Sequence, residues 1–334
     1  MSLSETKRVD FLVGIEGGGT STYCLIVALD GTIKGRGKGG PSNILVAGRE
    51  KARESIWNAV IEAMGGRRME EKALILCIGA AGSGTPAGRR LMAEVLEELQ
   101  FARKNIIVSD GVISLLGATA GKPGVVVIAG TGSVCYGMNA EGKFVRASGW
   151  GYMLGDEGSG YDIARRAMIL ALRSYDGRGE PTMLVDKFVT HLKLSSIEDL
   201  VKKVYVEGME RHQISALAPL VLEAAMQGDK VAGELLSYAG RELGTATVAV
   251  ARQLNILDQE FDVATIGGVL ENFGTYVIEP FRSIVLQHAP KAQFIQARFK
   301  PVAGAVILAA KELGPELDDV FLKKLKSDME RTEE

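Results

Sequence analysis

The chain has 334 residues, with 39 Lys or Arg, 41 Asp or Glu and a formal net charge of −2. Its 46% hydrophobic residues can build a large core, which excludes an intrinsically disordered protein. The net charge is close to zero and the sequence has no long Lys/Arg run. This argues against a basic surface that would bind nucleic acid or an anionic membrane. Glycine is over-represented: the chain has 41 glycines in 334 residues, about one residue in eight, whereas the average usage is about 7%.

The length predicts two domains, since single cores stop growing at about 250–300 residues. No window has the ~18 apolar residues of a membrane span, and residues 1–7 lack the hydrophobic segment of a secretory leader. We therefore expect a cytoplasmic protein. Cys24, Cys77 and Cys135 stand in apolar runs without CxxC or Cys/His spacing, which predicts buried thiols rather than a zinc site, an iron–sulfur cluster or a disulfide framework.

Hydrophobic periodicity and turn residues predict strands and helices in an order that occurs twice. Strands at 9–16, 21–29 and 32–38 precede helix 47–64, strand 73–79, helix 87–100, strand 105–109 and helix 111–120. Strands at 124–129, 133–138 and 143–148 precede helices over most of 158–255, strand 261–266, helix 269–288, strand 292–298 and helices from 302.

The two halves also agree residue by residue. Gly19-Thr20 and Gly130-Thr131 are 111 positions apart, and the same offset pairs Cys24 with Cys135 without a gap. Two hairpins can share turn chemistry by chance. A duplicated domain explains the agreement better.

Two glycine-rich hairpin turns are candidate phosphate-binding loops. The first reads GIEGGGTST over 14–22, and the second reads IAGTGS over 128–133. Glycine leaves backbone N–H groups free to close on an anion, and Thr20 and Thr22 can add hydroxyl donors. Glu16, at the end of the first strand, could hold Mg²⁺ through water. A merely tight hairpin is the alternative for each turn, but together the two loops could clamp a polyphosphate.

Three further segments place polar residues at turns. Asp110 follows a strand and begins a helix, where it is either a general base or only a favourable helix-start residue. Segment 148–160 has five glycines and suits close approach to a polar ligand; alternatively, Trp150 belongs to the core and Asp156 caps the next helix. At Gly267-Gly268 a flat base could lie against the backbone near Asn272, with close packing as the alternative.

Five motifs together resemble the N-acetylglucosamine kinase-like family, which is the BadF/BadG/BcrA/BcrD ATPase family. They are EGGGTST at 16–22, SDGVIS at 109–114, IAGTGS at 128–133, GWGxxxGDEGS at 149–159 and GG at 267–268. The family includes broad-specificity archaeal hexokinases and belongs to the actin-like ATPase superfamily. The resemblance implies an α/β fold of two ribonuclease-H-like domains hinged over a central cleft, each with a mixed five-stranded sheet. It implies an N-terminal domain at 1–112 plus 302–334, and a C-terminal domain with inserted helices at 113–301.

The same resemblance implies an ATP-dependent kinase. The γ-phosphate of Mg-ATP would pass to the 6-hydroxyl of a hexose or hexosamine, such as N-acetylglucosamine, glucosamine or glucose, in a homodimeric enzyme. Its ATP-binding positions would be Gly18, Gly19, Thr20, Gly130, Thr131, Gly132, Gly268 and Asn272, with Glu16 as an outer-sphere partner of the metal. Its sugar-binding positions would be Asn43, Asp110, Gly149, Trp150 and Asp156, with Asp110 as the catalytic base. Ser148 stands where relatives often have Gly, which leaves the sugar open.

Two other functions stay open. An ATPase activator of a 2-hydroxyacyl-CoA dehydratase or benzoyl-CoA reductase needs cysteines at a dimer interface to hold an iron–sulfur cluster, and the mid-strand cysteines argue against it. A nucleotide-binding regulatory protein of the repressor type would carry an extra helix-turn-helix, for which residues 1–8 leave no room. The carboxylates at Asp110 and Asp156 favour an enzyme.

Overall fold

The computed structural model describes residues 10–66, 72–314 and 318–331. Residues 1–9, which include the predicted start of the first strand and the segment expected to lack a leader or a helix-turn-helix, lie outside the described residues. The strands are β1 (Phe11–Gly17), β2 (Thr22–Ala28), β3 (Ile33–Gly39), β4 (Ala73–Ala80), β5 (Ala102–Ser109), β6 (Gly124–Ala129), β7 (Ser133–Met138), β8 (Phe144–Ser148), β9 (Phe261–Ile266) and β10 (Ala292–Gln296).

The helices follow the predicted order. They are α1 (Ile44–Ala47), α2 (Arg49–Ala63), α3 (Pro86–Leu99), α4 (Asp110–Ala118), α5 (Gly160–Tyr175), α6 (Leu184–Leu192), α7 (Asp199–Tyr205), α8 (Arg211–Ser215), α9 (Ala218–Met226), α10 (Lys230–Gln253), α11 (Gly268–Asn272), α12 (Thr275–His288), α13 (Pro301–Lys311) and α14 (Asp319–Glu330). In the described ranges no helix combines the length and the apolar character needed to cross a membrane.

Two compact units make up the chain. The first contains the described residues up to Lys122 and those from Ala297 onward, and the second runs from Pro123 to Gln296. The first unit has a sheet in the order β3-β2-β1-β4-β5, and the second has the same arrangement, β8-β7-β6-β9-β10. In both sheets the first three strands pair antiparallel and the last two join in parallel. The predicted α/β fold with two mixed five-stranded sheets is confirmed.

Helix α4 belongs to the first unit, so the division comes after Lys122 and not after residue 112 as predicted. The reason is its close packing on α13, where a Cβ on Gly304 would collide with the backbone of Ile113. The N–H groups of Arg298 and Phe299 also donate to carbonyls of α4, each at 3.1 Å. These bonds place the second division before Ala297 rather than after residue 301.

Each sheet is buried by helices that follow its strands. In the first unit, α2 and α3 cover one face of the central strands β1 and β4, and α13 packs on the other face. In the second unit, α10 crosses α12 and packs against β7. The predicted helix over 269–288 is two helices, because Gly274 has a φ of 56° that a continuing helix cannot adopt.

Candidate active site

The first glycine hairpin joins β1 to β2 and presents an open backbone. The N–H of Gly18 donates to the carbonyl of Ser21 at 2.9 Å, and Gly19 and Thr20 are exposed. A Cβ on Gly19 would meet no atom within 4 Å, whereas a Cβ on Gly17 would collide with Ser42 Oγ and with Ala80. Gly17 therefore serves packing, and the open part of the turn is Gly19-Thr20.

Thr22 is not a phosphate donor, which corrects one expectation. It is fully buried, and its Oγ1 lies 2.7 Å from the Gly40 carbonyl and 2.7 Å from Ser42 Oγ. The carbonyl of Gly18 accepts from the N–H groups of Ser42 and Asn43 at 3.0 and 3.1 Å. Thr22 thus holds the segment that carries Asn43 against the hairpin.

Asn43 begins α1 and is half-buried. Its Oδ1 accepts from the N–H of Leu45 at 3.3 Å, and a Cβ on Gly82 would collide with that oxygen. Residues of three separate loops thereby fix the amide beside the first hairpin. This placement is compatible with the predicted sugar contact.

Asp110 and Glu16 form an acidic pair in the first unit. Asp110 is the first residue of α4, is exposed, and accepts from the N–H of Gly111 at 3.0 Å. The protein atoms around it nevertheless remove part of its hydration, and this desolvation raises the pKa of the Asp110 carboxyl. Desolvation also raises the pKa of Glu16; the N–H of Val302 and the charge of Lys300 oppose that shift, and the charge of Asp110 adds to it.

These carboxylates fit Mg²⁺ that is bound chiefly by a nucleotide. The residues in the described ranges include no group of three or more His, Cys, Asp or Glu able to hold a metal, so a cage of protein ligands is not built there. Mg²⁺ in phosphate-transferring sites usually keeps several waters and takes one or two carboxylates plus substrate phosphates. Glu16, at the end of β1 with Asp110 close enough to raise its pKa, is a carboxylate of the kind that would suit this arrangement.

The second glycine hairpin joins β6 to β7 and repeats the open geometry. The N–H of Gly130 donates to the carbonyl of Gly132 at 2.9 Å, and the carbonyl of Gly130 accepts from the N–H of Gly160 at 2.8 Å. Thr131 is exposed, and a Cβ on Gly130 would meet no atom within 4 Å. Ser133 is buried like Thr22, and its hydroxyl donates to the Glu157 carbonyl at 2.7 Å.

Segment 149–156 is a loop, and neither structural alternative predicted for it holds. Trp150 does not belong to the core, because 65% of it is exposed, and the Arg146 guanidinium lies 4.2 Å from the centre of its ring. Asp156 does not cap α5, because the Ser159 hydroxyl accepts from the N–H of Asp162 at that helix start. Gly149 adopts a φ of 72° and packs against Val134.

Asp156 is buried, with a left-handed φ of 59°. Its Oδ2 lies 2.5 Å from Arg211 Nη2, and the N–H groups of Gly151 and Ser133 donate to the carboxylate. Burial raises the pKa of Asp156, although Arg211 and the two amides favour the ionised form. The carboxylate ties the loop to the second hairpin and to α8. Sequence reasoning missed Arg211, because it stands outside every motif.

A cavity of about 410 Å³ lies beside the second hairpin, within the second unit. Four residues predicted to bind the nucleotide line it together: Gly130, Thr131, Gly268 and Asn272. Helices α8 and α9 and residues beside α11 add lining residues that the sequence did not indicate, namely His212, Ser215, Pro219, Leu222 and Phe273. The mixture of apolar walls and a few polar groups is typical of small-molecule sites.

Gly267 has the packing role that was the alternative for the glycine pair. Its φ is 105°, and a Cβ there would collide with the carbonyl of Ala129. The N–H of Gly267 donates to Glu271 Oε1 at 2.9 Å. Gly268, by contrast, lines the cavity, and a Cβ on Gly268 would lie 3.4 Å from Asn272 Nδ2. The two glycines therefore have different roles, and the second is the one available to a ligand.

Residues 13–309 match the BadF/BadG/BcrA/BcrD ATPase family. The chain belongs to this family. It is 36% identical over 304 residues to an N-acetylmuramic acid/N-acetylglucosamine kinase of Clostridium acetobutylicum, covering 90% of this chain and 99% of the relative. It is 28% identical over 314 residues to an N-acetyl-D-glucosamine kinase of Dictyostelium discoideum, covering 90% and 98%.

A solved structure supports the same assignment to the BadF/BadG/BcrA/BcrD ATPase family. It is described as a candidate N-acetylglucosamine kinase from Chromobacterium violaceum, and it matches with a TM-score of 0.69 and 26% identity. The match covers 90% of this chain and 99% of that chain. The similarity therefore extends over both units and is not confined to the glycine hairpins.

Proposed function

We propose that this protein is an ATP-dependent sugar kinase that transfers the γ-phosphate of Mg-ATP to the 6-hydroxyl of a hexose or hexosamine. The observation that carries the proposal is the cavity lined jointly by Gly130, Thr131, Gly268 and Asn272, which are far apart in sequence. Relatives named as kinases of N-acetylglucosamine and N-acetylmuramic acid support a sugar as the acceptor.

In the proposed reaction, Asp110 is the general base. The sugar hydroxyl oxygen forms a bond to the γ-phosphorus, the bond from that phosphorus to the bridging oxygen breaks, and ADP leaves with the electron pair. The hydroxyl proton passes to the Asp110 carboxylate. Its raised pKa suits this role, because a base with a pKa nearer the working pH accepts a proton more readily in the transition state.

Charge and position supply the rest of the proposed catalysis. The exposed backbones at Gly19 and Gly130 and the hydroxyls of Thr20 and Thr131 would donate to phosphate oxygens. Bound Mg²⁺ neutralises phosphate charge, and Glu16 would hold it through water.

Sugar recognition is proposed for Asn43 and for segment 149–156. The exposed face of Trp150 suits packing against the apolar face of a sugar ring. Asp156 is already bonded to Arg211, Gly151 and Ser133, so its proposed part is mainly to hold that loop.

A coupled assay of ADP release tests the proposal directly. The acceptors to compare are N-acetylglucosamine, N-acetylmuramic acid, glucosamine, glucose and mannose, each with and without Mg²⁺. We expect ADP release that depends on both a sugar and Mg²⁺, and a sugar 6-phosphate as the product. ATP hydrolysis without any sugar dependence would favour the activator or regulatory function instead.

The cytoplasmic location and the homodimer stay predictions. Light scattering on the purified protein would measure its oligomeric state.

A further inference from the structure

Arg211, at the start of α8, lies directly against the second glycine hairpin. A Cβ on Gly132 would collide with Arg211 Nη2 and with Asp156 Oδ2. The guanidinium and the carboxylate therefore occupy the space beside the hairpin backbone that a larger residue at this position would need. The side chain is 39% exposed, so part of it remains accessible from solvent.

The bonds that Arg211 makes leave donors unused. Nη2 is bonded to Asp156 at 2.5 Å, and the ring of Tyr152 lies 5.6 Å from the guanidinium. Among the described residues, the buried Nε has no hydrogen-bond partner. A guanidinium has five N–H donors, and a buried donor without an acceptor is rare in native structures and needs an explanation.

The nucleotide cavity begins next to this guanidinium. His212, which follows Arg211, lines the cavity together with Gly130 and Thr131. A nucleoside in the cavity would direct its phosphates along the second hairpin, whose Gly132 is covered by Arg211. Planar guanidinium groups bind phosphate oxygens in pairs and are preferred where phosphate geometry must be recognised.

We infer that Arg211 binds the terminal phosphate of the nucleotide, and that Asp156 orients the guanidinium for this contact. The inference rests on the proposed function and adds to it a cation in the phosphate site. The competing account is purely structural, with the ion pair serving only to tie the 149–156 loop to α8.

Equilibrium binding of ATP, ADP and adenosine, measured by calorimetry with Mg²⁺ and without sugar, separates these accounts. The variants are Arg211→Met, Arg211→Lys and Asp156→Asn, with Arg173→Met as a control at an exposed arginine of α5. Arg211→Met is expected to weaken ATP binding about 10–100-fold, the usual size of a lost charge-assisted contact. Adenosine binding should not change, and Arg211→Lys should recover part of the loss.

Asp156→Asn decides whether the ion pair itself matters. If Arg211 binds phosphate and Asp156 orients it, this variant loses less ATP affinity than Arg211→Met, because the guanidinium remains but has lost its charged partner. Equal losses of ATP and adenosine binding in Arg211→Met and Asp156→Asn would overturn the inference and support the structural account. Unchanged ATP affinity in Arg211→Met would also overturn it.

A double variant provides the control for a loss of stability. Arg211→Met alone leaves Asp156 buried without its cation, so Asp156→Asn/Arg211→Met removes both charges and should fold. We expect the double variant to bind adenosine but to lose the preference for ATP; a retained preference would contradict the inference. Failure of the wild type to bind ATP would instead refute the proposed function, which distinguishes the two.

Discussion

The two glycine hairpins occupy equivalent positions in their sheets and have different surroundings. Each has one open glycine, Gly19 or Gly130, and one buried hydroxyl at the equivalent position of the following strand, Thr22 or Ser133. Beside the first lie the carboxylates of Glu16 and Asp110, whereas the second adjoins a partly apolar cavity and Arg211. The two hairpins thus share an open glycine and a buried hydroxyl, while the charged groups around them differ.

Replacing Asp110 should have the largest effect on activity. Asp110→Asn is expected to lower kcat/KM about 10²–10⁴-fold, the usual contribution of a general base. The activity of the wild type should also decline as the pH falls through the raised pKa of Asp110, because the base must be ionised. The coupled assay across pH measures both effects, and wild-type turnover in the variant would show that Asp110 is not the base.

The same substitution should not lower stability at neutral pH. Because folding raises the pKa of Asp110, ionisation opposes folding above that pKa, and this penalty disappears when the carboxyl is protonated. Thermal unfolding of Asp110→Asn should give a Tm at pH 7 equal to or above that of the wild type. A lower Tm at pH 7 would mean that the carboxylate stabilises the fold.

Alanine substitutions at Gly17 and Gly19 of the first hairpin distinguish a glycine needed for packing from a glycine needed for ATP binding. Gly17→Ala should destabilise the protein by about 1–3 kcal/mol through overpacking, because the new Cβ collides with Ser42 and Ala80. Gly19→Ala meets no atom and should leave stability within about 0.5 kcal/mol while raising the KM for ATP. Denaturant unfolding and the coupled assay test the pair. Equal destabilisation by both substitutions would contradict the distinction.

The buried hydroxyls should respond alike in the two units. Thr22→Val and Ser133→Ala each remove a buried hydrogen bond and leave a carbonyl without a donor, which should cost about 1–3 kcal/mol. Denaturant unfolding provides the measurement. A large loss in one unit and none in the other would show that the hairpins are not equivalent.

The smallest expected effect is at the cysteines. Burial raises the pKa of Cys135 to about 12, and Cys24 and Cys77 are also buried with raised pKa values. A thiol reagent at pH 8 should therefore modify none of the three in the native protein and leave activity unchanged. Rapid labelling of these cysteines with loss of activity would contradict their burial and would favour the activator function.

The sequence predicted much of this fold because its strands are short apolar runs bounded by glycine. Strands β6, β7 and β9 have the predicted bounds. The predicted helix 269–288 is divided at Gly274, because the positive φ of this one residue interrupts the helix. The open glycines could be found from the motifs. Arg211 could not, since its ion pair joins residues 55 positions apart, and no local pattern records such a contact.

The most direct test of the account is product analysis with the wild type and Asp110→Asn. Phosphorus NMR of a reaction with Mg-ATP and N-acetylglucosamine, glucosamine or glucose should show a sugar 6-phosphate forming as ADP appears. The variant should form it about 10²–10⁴-fold more slowly while still binding ATP. Release of inorganic phosphate with no sugar phosphate from any acceptor would contradict the central claim.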